Sequence, residues 1–345
     1  METSGSINIK IQMSVQNVFL AVMAVSAVLI TVSLYNVATQ NKVVSSGNEI
    51  AFNQWMMKYG KSYGNESDKS YRLSVFSDNM SKVQDHSNNT EATYKLSLNK
   101  YADLTSAEFS KQYLGLKKQL KVNMAQKESI DNAPESKDWS NTGAVTGVKD
   151  QAQCGSCWSF SATGALEGLY YLTNQETRSF SEQQLMDCSG SYGNMSCNGG
   201  LMDYAFDYAK EHGVTDENNY PYTAEDGRCH KNRITNGFTI SSYTDVADDQ
   251  NSLVAAVARQ PVSIAVNATP LQLYDSGIYN DWSCTPDVDH GVLAVGYGSE
   301  EGQDFFKVKN SWGKVWGEDG YFRFARRSHG TGICGCTTGA SYPTA

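Results

Sequence analysis

The sequence predicts an α+β protein in which a small helical front part precedes a larger body, helical first and strand-rich later. Three patterns carry that expectation. In the front part Phe52, Trp55 and Met56, then Tyr71, Val75, Phe76, Asn79, Met80 and Val83, recur at helical spacing, so two amphipathic helices are expected. From 157 to 210 helical patterns dominate. There "WSFSATGALEGLYYL" sets Phe160, Leu166, Leu169, Tyr170 and Leu172 at helical intervals, which makes Cys157 the head of a buried helix. Later, "PVSIAV", "GVLAVGY", "FFKVKNSW" and "GYFRFAR" are strand-like in composition and often alternate.

Taken in order, the chain opens with no charge between Lys10 and Lys42, and Val18 to Tyr35 is almost continuously apolar. That length lies between a signal-peptide core and a full membrane span, and Asn36 and Ala38 match a small-residue cleavage site only in part. Residues 1–40 therefore read as a signal peptide or signal anchor, with a buried core helix as the third reading. Either of the first two sends the rest of the chain out of the cytosol. The front part spans 48–130, "SIDNAPESKDW" has the small, polar composition of an exposed linker, and the body spans 133–345. A chain of 345 residues at 40% hydrophobic content holds one large or two small cores.

Charge separates the same parts. Residues 1–132 carry 14 Lys and Arg against 11 Asp and Glu, hence +3; residues 133–345 carry 14 against 26, hence −12. The total of −9, without Lys/Arg runs, argues against nucleic acid and against any membrane contact beyond an N-terminal anchor. All eight cysteines lie beyond residue 150, and in an oxidising compartment they are expected to form disulfides.

"QAQCGSCWSF" sets Cys154 and Cys157 three positions apart, which admits a metal clip, a redox pair, or a nucleophile beside a structural half-cystine. Zinc needs a second Cys or His pair at comparable spacing; the other cysteines are scattered, and His86, His212, His230, His290 and His329 supply no pair. A redox pair leaves Gln151, Gly155 and Trp158 unexplained. "CGSCW" instead matches the nucleophile signature of papain and cathepsins, with His290 in "DVDHGVLAVGYG" 133 residues on and Asn310 in "VKNSWGKVWGEDGY" 153 residues on. From about residue 50 to its end the chain resembles a papain-family, cathepsin L-like cysteine protease precursor.

The resemblance implies a papain-like two-domain fold, a helical domain with Cys157 and a β-rich domain with His290 and Asn310 flanking an active-site cleft, preceded by a small helical propeptide. Cys157 is then the nucleophile, favoured as thiolate by the helix N-terminus and a protonated His290. His290 is general acid to the leaving amine, and Asn310 orients it without adding charge. Trp312 shields that hydrogen bond, and Gln151 joins the Cys157 N–H in an oxyanion hole. Gly199 and Gly200 let backbone approach a substrate chain closely. Leu201, Met202, Ala265, Val288 and Gly339 line the pocket for the second residue before the scissile bond, with no carboxylate for Arg. That predicts bulky apolar preference, and a carboxylate placed at Gly339 is expected to admit Arg.

The family also implies the pairs Cys154–Cys197, Cys188–Cys229 and Cys284–Cys334, leaving Cys336 a buried free thiol. Arg72, Val75, Phe76, Asn79 and Val83 follow the "ERFNIN" helix of the propeptides, with Asp68 for Glu and Ser87 for Asn. "SLNKYAD" resembles the "GNFD" motif, with Ser97 for Gly and Tyr101 for Phe. Cleavage near 132–134 would release a soluble, monomeric peptidase that needs no cofactor and no metal. Its partners would be protein and peptide substrates and its own propeptide as inhibitor, its location a lysosome, another acidic vacuole or the exterior. Sequons stand at Asn65, Asn79, Asn88, Asn194 and Asn267. The competing class is a protease-like binding protein without turnover.

Overall fold

The computed structural model describes residues 47–117, 129–130, 133–327 and 330–345, together with Met23 and Ile30. Apart from those two positions, the expected signal or anchor segment lies outside the described residues. Among the described residues no helix is long and apolar enough to cross a membrane. The chain divides into two units, Met1–Ser77 and Asp78–Ala345.

Aromatic side chains hold the first unit, where α1 (47–59) meets the start of α2 (Glu66–Ser87). Phe52 and Phe76 are fully buried with ring centres 5.2 Å apart, and Trp55 lies 5.3 Å from Phe76. Asn65 starts α2 by accepting the Asp68 N–H at 2.9 Å, and Glu66 and Asp68 set negative charge at the helix's positive end. Tyr71, expected on the buried face, is 49% exposed. It lies roughly 90° around the helix from the centre of the Val75, Phe76, Asn79 and Val83 face.

In the second unit, α3 (Ser106–Tyr113) opens with a capping box: Thr105 Oγ1 accepts the Glu108 N–H, and the Glu108 carboxylate accepts the Thr105 N–H at 2.9 Å. A helical layer follows, made of α4 (Cys157–Asn174), α5 (Glu182–Cys188) and α6 (Met202–His212), with α7 (Gln250–Arg259) further on. The strands are β1 (Tyr94–Leu96), β2 (Lys137–Asp138), β3 (Ser242–Asp245), β4 (Val262–Val266), β5 (Tyr274–Tyr279), β6 (His290–Glu300), β7 (Gln303–Lys309), β8 (Tyr321–Ala325) and β9 (Ser341–Thr344). They run in the order β1-β5-β8-β7-β6-β4-β9-β3, with β2 also on β6; β5 and β8 are parallel, the other pairs antiparallel.

Helices α4 to α6 and a sheet of mostly antiparallel strands make this an α+β fold, and the four strand-like stretches of sequence are β4, β6, β7 and β8. Serines tie helix to sheet: Ser161 Oγ donates to Val292 O at 2.7 Å, and Ser263 Oγ to Ser161 O at 2.9 Å. The line where α4 meets β6 is where the predicted catalytic residues collect.

Candidate active site

Cys157 is the first residue of α4, and its side chain is fully buried. Opposite it, the antiparallel register of β6 and β7 pairs Leu293 with Lys309, which sets His290, at the start of β6, beside the Asn310–Trp312 segment just past the end of β7. His290 Nε2 lies 2.8 Å from Asn310 Oδ1, which also accepts the Ser311 N–H at 2.8 Å. That oxygen can only accept, so Nε2 carries the hydrogen. Nδ1, buried and without a hydrogen bond among the described residues, is the ring nitrogen left to exchange a proton. The Trp312 ring covers the imidazole at 4.7 Å.

Gln151 is held through both its main chain and its side-chain amide. Its N–H donates to Ser311 O at 2.8 Å, its Oε1 accepts from Ser311 Oγ at 2.7 Å, and its Nε2 donates to Cys154 O at 2.8 Å. The second Nε2 hydrogen goes to the carbonyl of Tyr113 at 2.9 Å. Tyr113 belongs to the front part of the chain, which crosses the cleft here.

The crossing strand, Tyr113 to Lys117, pairs with the Asn198–Gly200 turn: Gly200 N–H donates to Gly115 O at 3.0 Å, and Lys117 N–H to Gly200 O at 3.2 Å. Leu116 N–H donates to Asp289 O at 3.0 Å. The approach is so close that a Cβ on Gly115 would stand 2.0 Å from Gly155 O, and one on Gly199, at φ 102°, 2.5 Å from Gly115 O. Gly199 and Gly200 therefore stand against a bound chain, and that chain is the protein's own.

Upstream, Asn99 Nδ2 donates to Gln272 O at 2.8 Å, and Gln272 Nε2 returns bonds to Tyr101 O at 3.0 Å and Leu104 O at 2.7 Å. Phe109 meets the Trp312 ring edge-on at 5.1 Å, and β1 extends the sheet along β5.

Under this cover the electrostatics run opposite to the expected thiolate–imidazolium pair. Burial pushes the Cys157 thiol up to about 11, although N–H groups of Gly291, Gly115 and Trp158 pull the other way. Burial draws His290 down to about 4 against its bond to Asn310. Burial thus favours the neutral thiol and the neutral imidazole in this closed form. The crossing strand also presents an N–H to the sulfur rather than a carbonyl carbon.

Beside this lies a pocket of about 240 Å³. Leu201, Met202, Ala265, Val288 and Gly339 all line it, and so does Leu116 of the crossing strand. Asp203 and Asp287 line it too, contrary to the expectation of no carboxylate. Asp203 follows Met202 in the first turn of α6, and its Oδ1 accepts from Ser341 Oγ at 2.7 Å. Asp287 is exposed at the rim, accepting from Thr285 Oγ1 at 3.1 Å.

Disulfides join Cys154 to Cys197, Cys188 to Cys229 and Cys284 to Cys334, and Cys336 is a buried free thiol. Sequence reasoning missed Tyr113, Gly115, Leu116, Gln272 and Ser311. A glycine between two leucines in "YLGLK" was the available sign of an extended segment in close backbone contact.

Residues 133–344 match the papain family cysteine protease model, and residues 52–109 match the cathepsin propeptide inhibitor domain. Cathepsin L of Sarcophaga peregrina is 43% identical over 310 residues, covering 84% of this chain and 91% of its own. A cathepsin L-like peptidase of Aedes aegypti is 44% identical over 314 residues, 85% of this chain and 92% of its own. The structure of digestive procathepsin L 3 from Tenebrio molitor larval midgut superposes with a TM-score of 0.77 at 40% identity, over 86% of this chain and 99% of that one. With its catalytic domain and inhibitory propeptide both matched, the chain belongs to the papain family and is a cathepsin L-like cysteine protease zymogen.

Proposed function

We propose that Cys157, His290, Asn310 and Gln151 carry out peptide hydrolysis once residues 48–130 have left the cleft. The observation that carries this reading is the crossing strand itself, which brings Gly115 to the sulfur, a carbonyl to the Gln151 amide and a leucine to the pocket. These are the contacts a substrate chain needs. With water readmitted, the Cys157 proton passes to His290 Nδ1 and the thiolate attacks the scissile carbonyl carbon. Gln151 Nε2 and the Cys157 N–H hold the oxyanion. As the C–N bond breaks, Nδ1–H protonates the leaving amine; Nδ1 then accepts a proton from the water that cleaves the thioester. Asn310 keeps Nδ1 turned to the sulfur by binding Nε2–H.

The mature enzyme spans 133–345 and acts as a monomer, favouring Leu, Phe or Met at the second position before the cut. Residues 1–40 direct it to a lysosome, an acidic vacuole or the exterior. Any glycan falls on exposed Asn65 or Asn88 or on half-buried Asn267, whose Nδ2 is bonded to Thr285 O at 3.1 Å. Asn79 is buried with Nδ2 bonded to Ala102 O and Leu104 O, and buried Asn194 is bonded to Ser189 and Leu201. The test is Cys157→Ser: hydrolysis of a peptide amide is abolished and uncut precursor accumulates, as seen by mass spectrometry. Normal turnover by the purified variant would remove Cys157 from the mechanism.

A further inference from the structure

Ser156 is the N-cap of α4 and the residue before Cys157. At that position a serine hydroxyl ordinarily accepts a first-turn N–H; here it makes no such bond. Its Oγ lies 2.7 Å from Tyr222 Oη, and Tyr222 Oη lies 2.7 Å from the main-chain oxygen of Gln151. A carbonyl only accepts, so the phenol proton goes to Gln151 and the Ser156 hydroxyl donates to the phenol oxygen. One side chain thereby ties together both ends of the segment from Gln151 to Ser156, which is bent by Ala152 at φ 51°.

Tyr222 is itself fixed. Its ring meets Phe160 of α4 edge-on at 4.9 Å, and the Thr223 N–H donates to Gln183 Oε1 of α5 at 2.9 Å. Burial raises its pKa far above that of a free phenol, so it stays a donor at any pH where a peptidase works. With the Ser156 hydroxyl turned away, the Trp158 N–H is left to lean on the Cys157 sulfur, while the Ser159 N–H donates to Ser156 O at 2.8 Å.

We propose that Tyr222 is a positioning residue for the oxyanion hole, setting the distance between the Gln151 amide and the N-terminus of α4 so that both donors converge on one oxygen. This rests on the assignment of Gln151 as an oxyanion donor. The Ser156–Tyr222–Gln151 chain acts at the transition state and leaves substrate binding alone, because Tyr222 is not among the residues lining the pocket.

The test uses full-length precursor, converted to mature enzyme by limited proteolysis, with Gln151→Ala, Tyr222→Phe and both together. Tyr222→Phe keeps the ring and its packing on Phe160 and deletes only the hydroxyl. Expected is a fall in kcat on the order of tenfold with KM within about twofold. Binding of a peptide aldehyde, which adds to the thiol to give a tetrahedral oxyanion, should weaken by the same factor. Because Tyr222 works through Gln151, the double variant should be no slower than Gln151→Ala. Ser156→Ala, which cuts the outer link only, should give a smaller change of the same kind and serves if Tyr222→Phe does not fold.

A Tyr222→Phe enzyme with lower thermal stability but unchanged kcat and aldehyde affinity would show a merely structural tyrosine. Additive losses in the double variant would show that it acts apart from Gln151. If Gln151→Ala itself leaves kcat unchanged, the oxyanion assignment fails and takes this proposal with it. A fall for Gln151→Ala without one for Tyr222→Phe overturns the proposal alone.

Discussion

The two halves of the cleft are closed by different means. Around Cys157 the covering strand contributes main-chain atoms: the Gly115 N–H at the sulfur, and the Tyr113 carbonyl on the Gln151 amide. At the pocket it contributes a side chain, Leu116, to a wall shared with Leu201, Met202, Ala265, Val288 and Gly339. A backbone plug depends on the absence of a Cβ and is nearly all-or-none, whereas a side-chain contact at a pocket wall is graded by size and charge. Inhibition should therefore be most sensitive to steric change at Gly115.

The largest effect is accordingly expected for Gly115→Ala. Its Cβ would stand 2.0 Å from Gly155 O, a backbone atom that cannot swing away, so the strand must lift from the cleft. Alkylation of Cys157 by iodoacetamide in intact precursor at neutral pH should rise about 100-fold, as expected for a loss of some 3 kcal/mol. Leu116→Ala leaves the backbone plug in place and should raise it about tenfold. Equal effects of the two variants would erase the distinction between the halves.

Next comes pH, which should act on the catalytic half alone. His290 titrates near 4 when covered, below the ordinary 6.5 it regains when hydrated. The open form therefore binds more protons between those values. The closed form is fully stable above about pH 6.5 and loses stability as pH falls towards 4, by up to about tenfold in the opening equilibrium per pH unit. A Cys157→Ser precursor, which cannot cut itself, should show increasing susceptibility of residues 94–117 to an added protease over that window. His290→Ala in the same background should flatten the dependence. An unaltered slope would assign acid opening to other groups.

How far the sequence disclosed all this follows the same division. Cys157, His290, Asn310 and Gln151, the residues proposed to carry the chemistry, could be singled out because each sits in a short motif at the family's spacing. The pocket residues came through family resemblance, but Asp203 and Asp287 did not, since the pocket is assembled from the start of α6, strand β4 and the 286–288 and 338–339 turns. The opposing shifts of Cys157 and His290 were not legible either, because they come from burial in the folded cleft, where Gly115, 42 positions earlier in the chain, reaches the sulfur. Among the elements, β4, β6, β7 and β8 announce themselves by composition. Strand β5 does not, because "YDSGIY" neither alternates nor avoids glycine, with Gly277 at φ 89° and its partner β1 nearly 180 residues earlier.

A smaller effect should follow from changing the pocket's charge. Gly339 has φ 63°, a left-handed conformation that Asp tolerates better than Glu, so Gly339→Asp is the cleaner way to add a carboxylate. Asp203 is already committed to Ser341, and Asp287 is exposed to solvent at the rim, so neither offers an incoming guanidinium a desolvated partner. Gly339→Asp should shift kcat/KM for Arg over Leu at that position about tenfold in favour of Arg. A parent enzyme that already prefers Arg would mean that Asp287 dominates the pocket.

The smallest effect tests whether overall charge holds the cover down. The front part and the body differ in sign, +3 against −12, and Lys100 Nζ lies 2.7 Å from Asp150 Oδ2 across that divide. Asp150 is 44% exposed, so the pair works in high dielectric and gives up much of its attraction to water and salt. Lys100→Ala should raise Cys157 alkylation in the precursor only about twofold at low ionic strength, and by nothing measurable at 0.5 M salt, where charges are screened within about 4 Å. Asp150 also accepts the Ala152 N–H at 2.9 Å, next to the segment that carries Gln151, so Asp150→Asn would mix two causes and Lys100 is the side to change. A loss of inhibition approaching that of Gly115→Ala would mean that long-range attraction, rather than main-chain fit at the sulfur, keeps the zymogen closed.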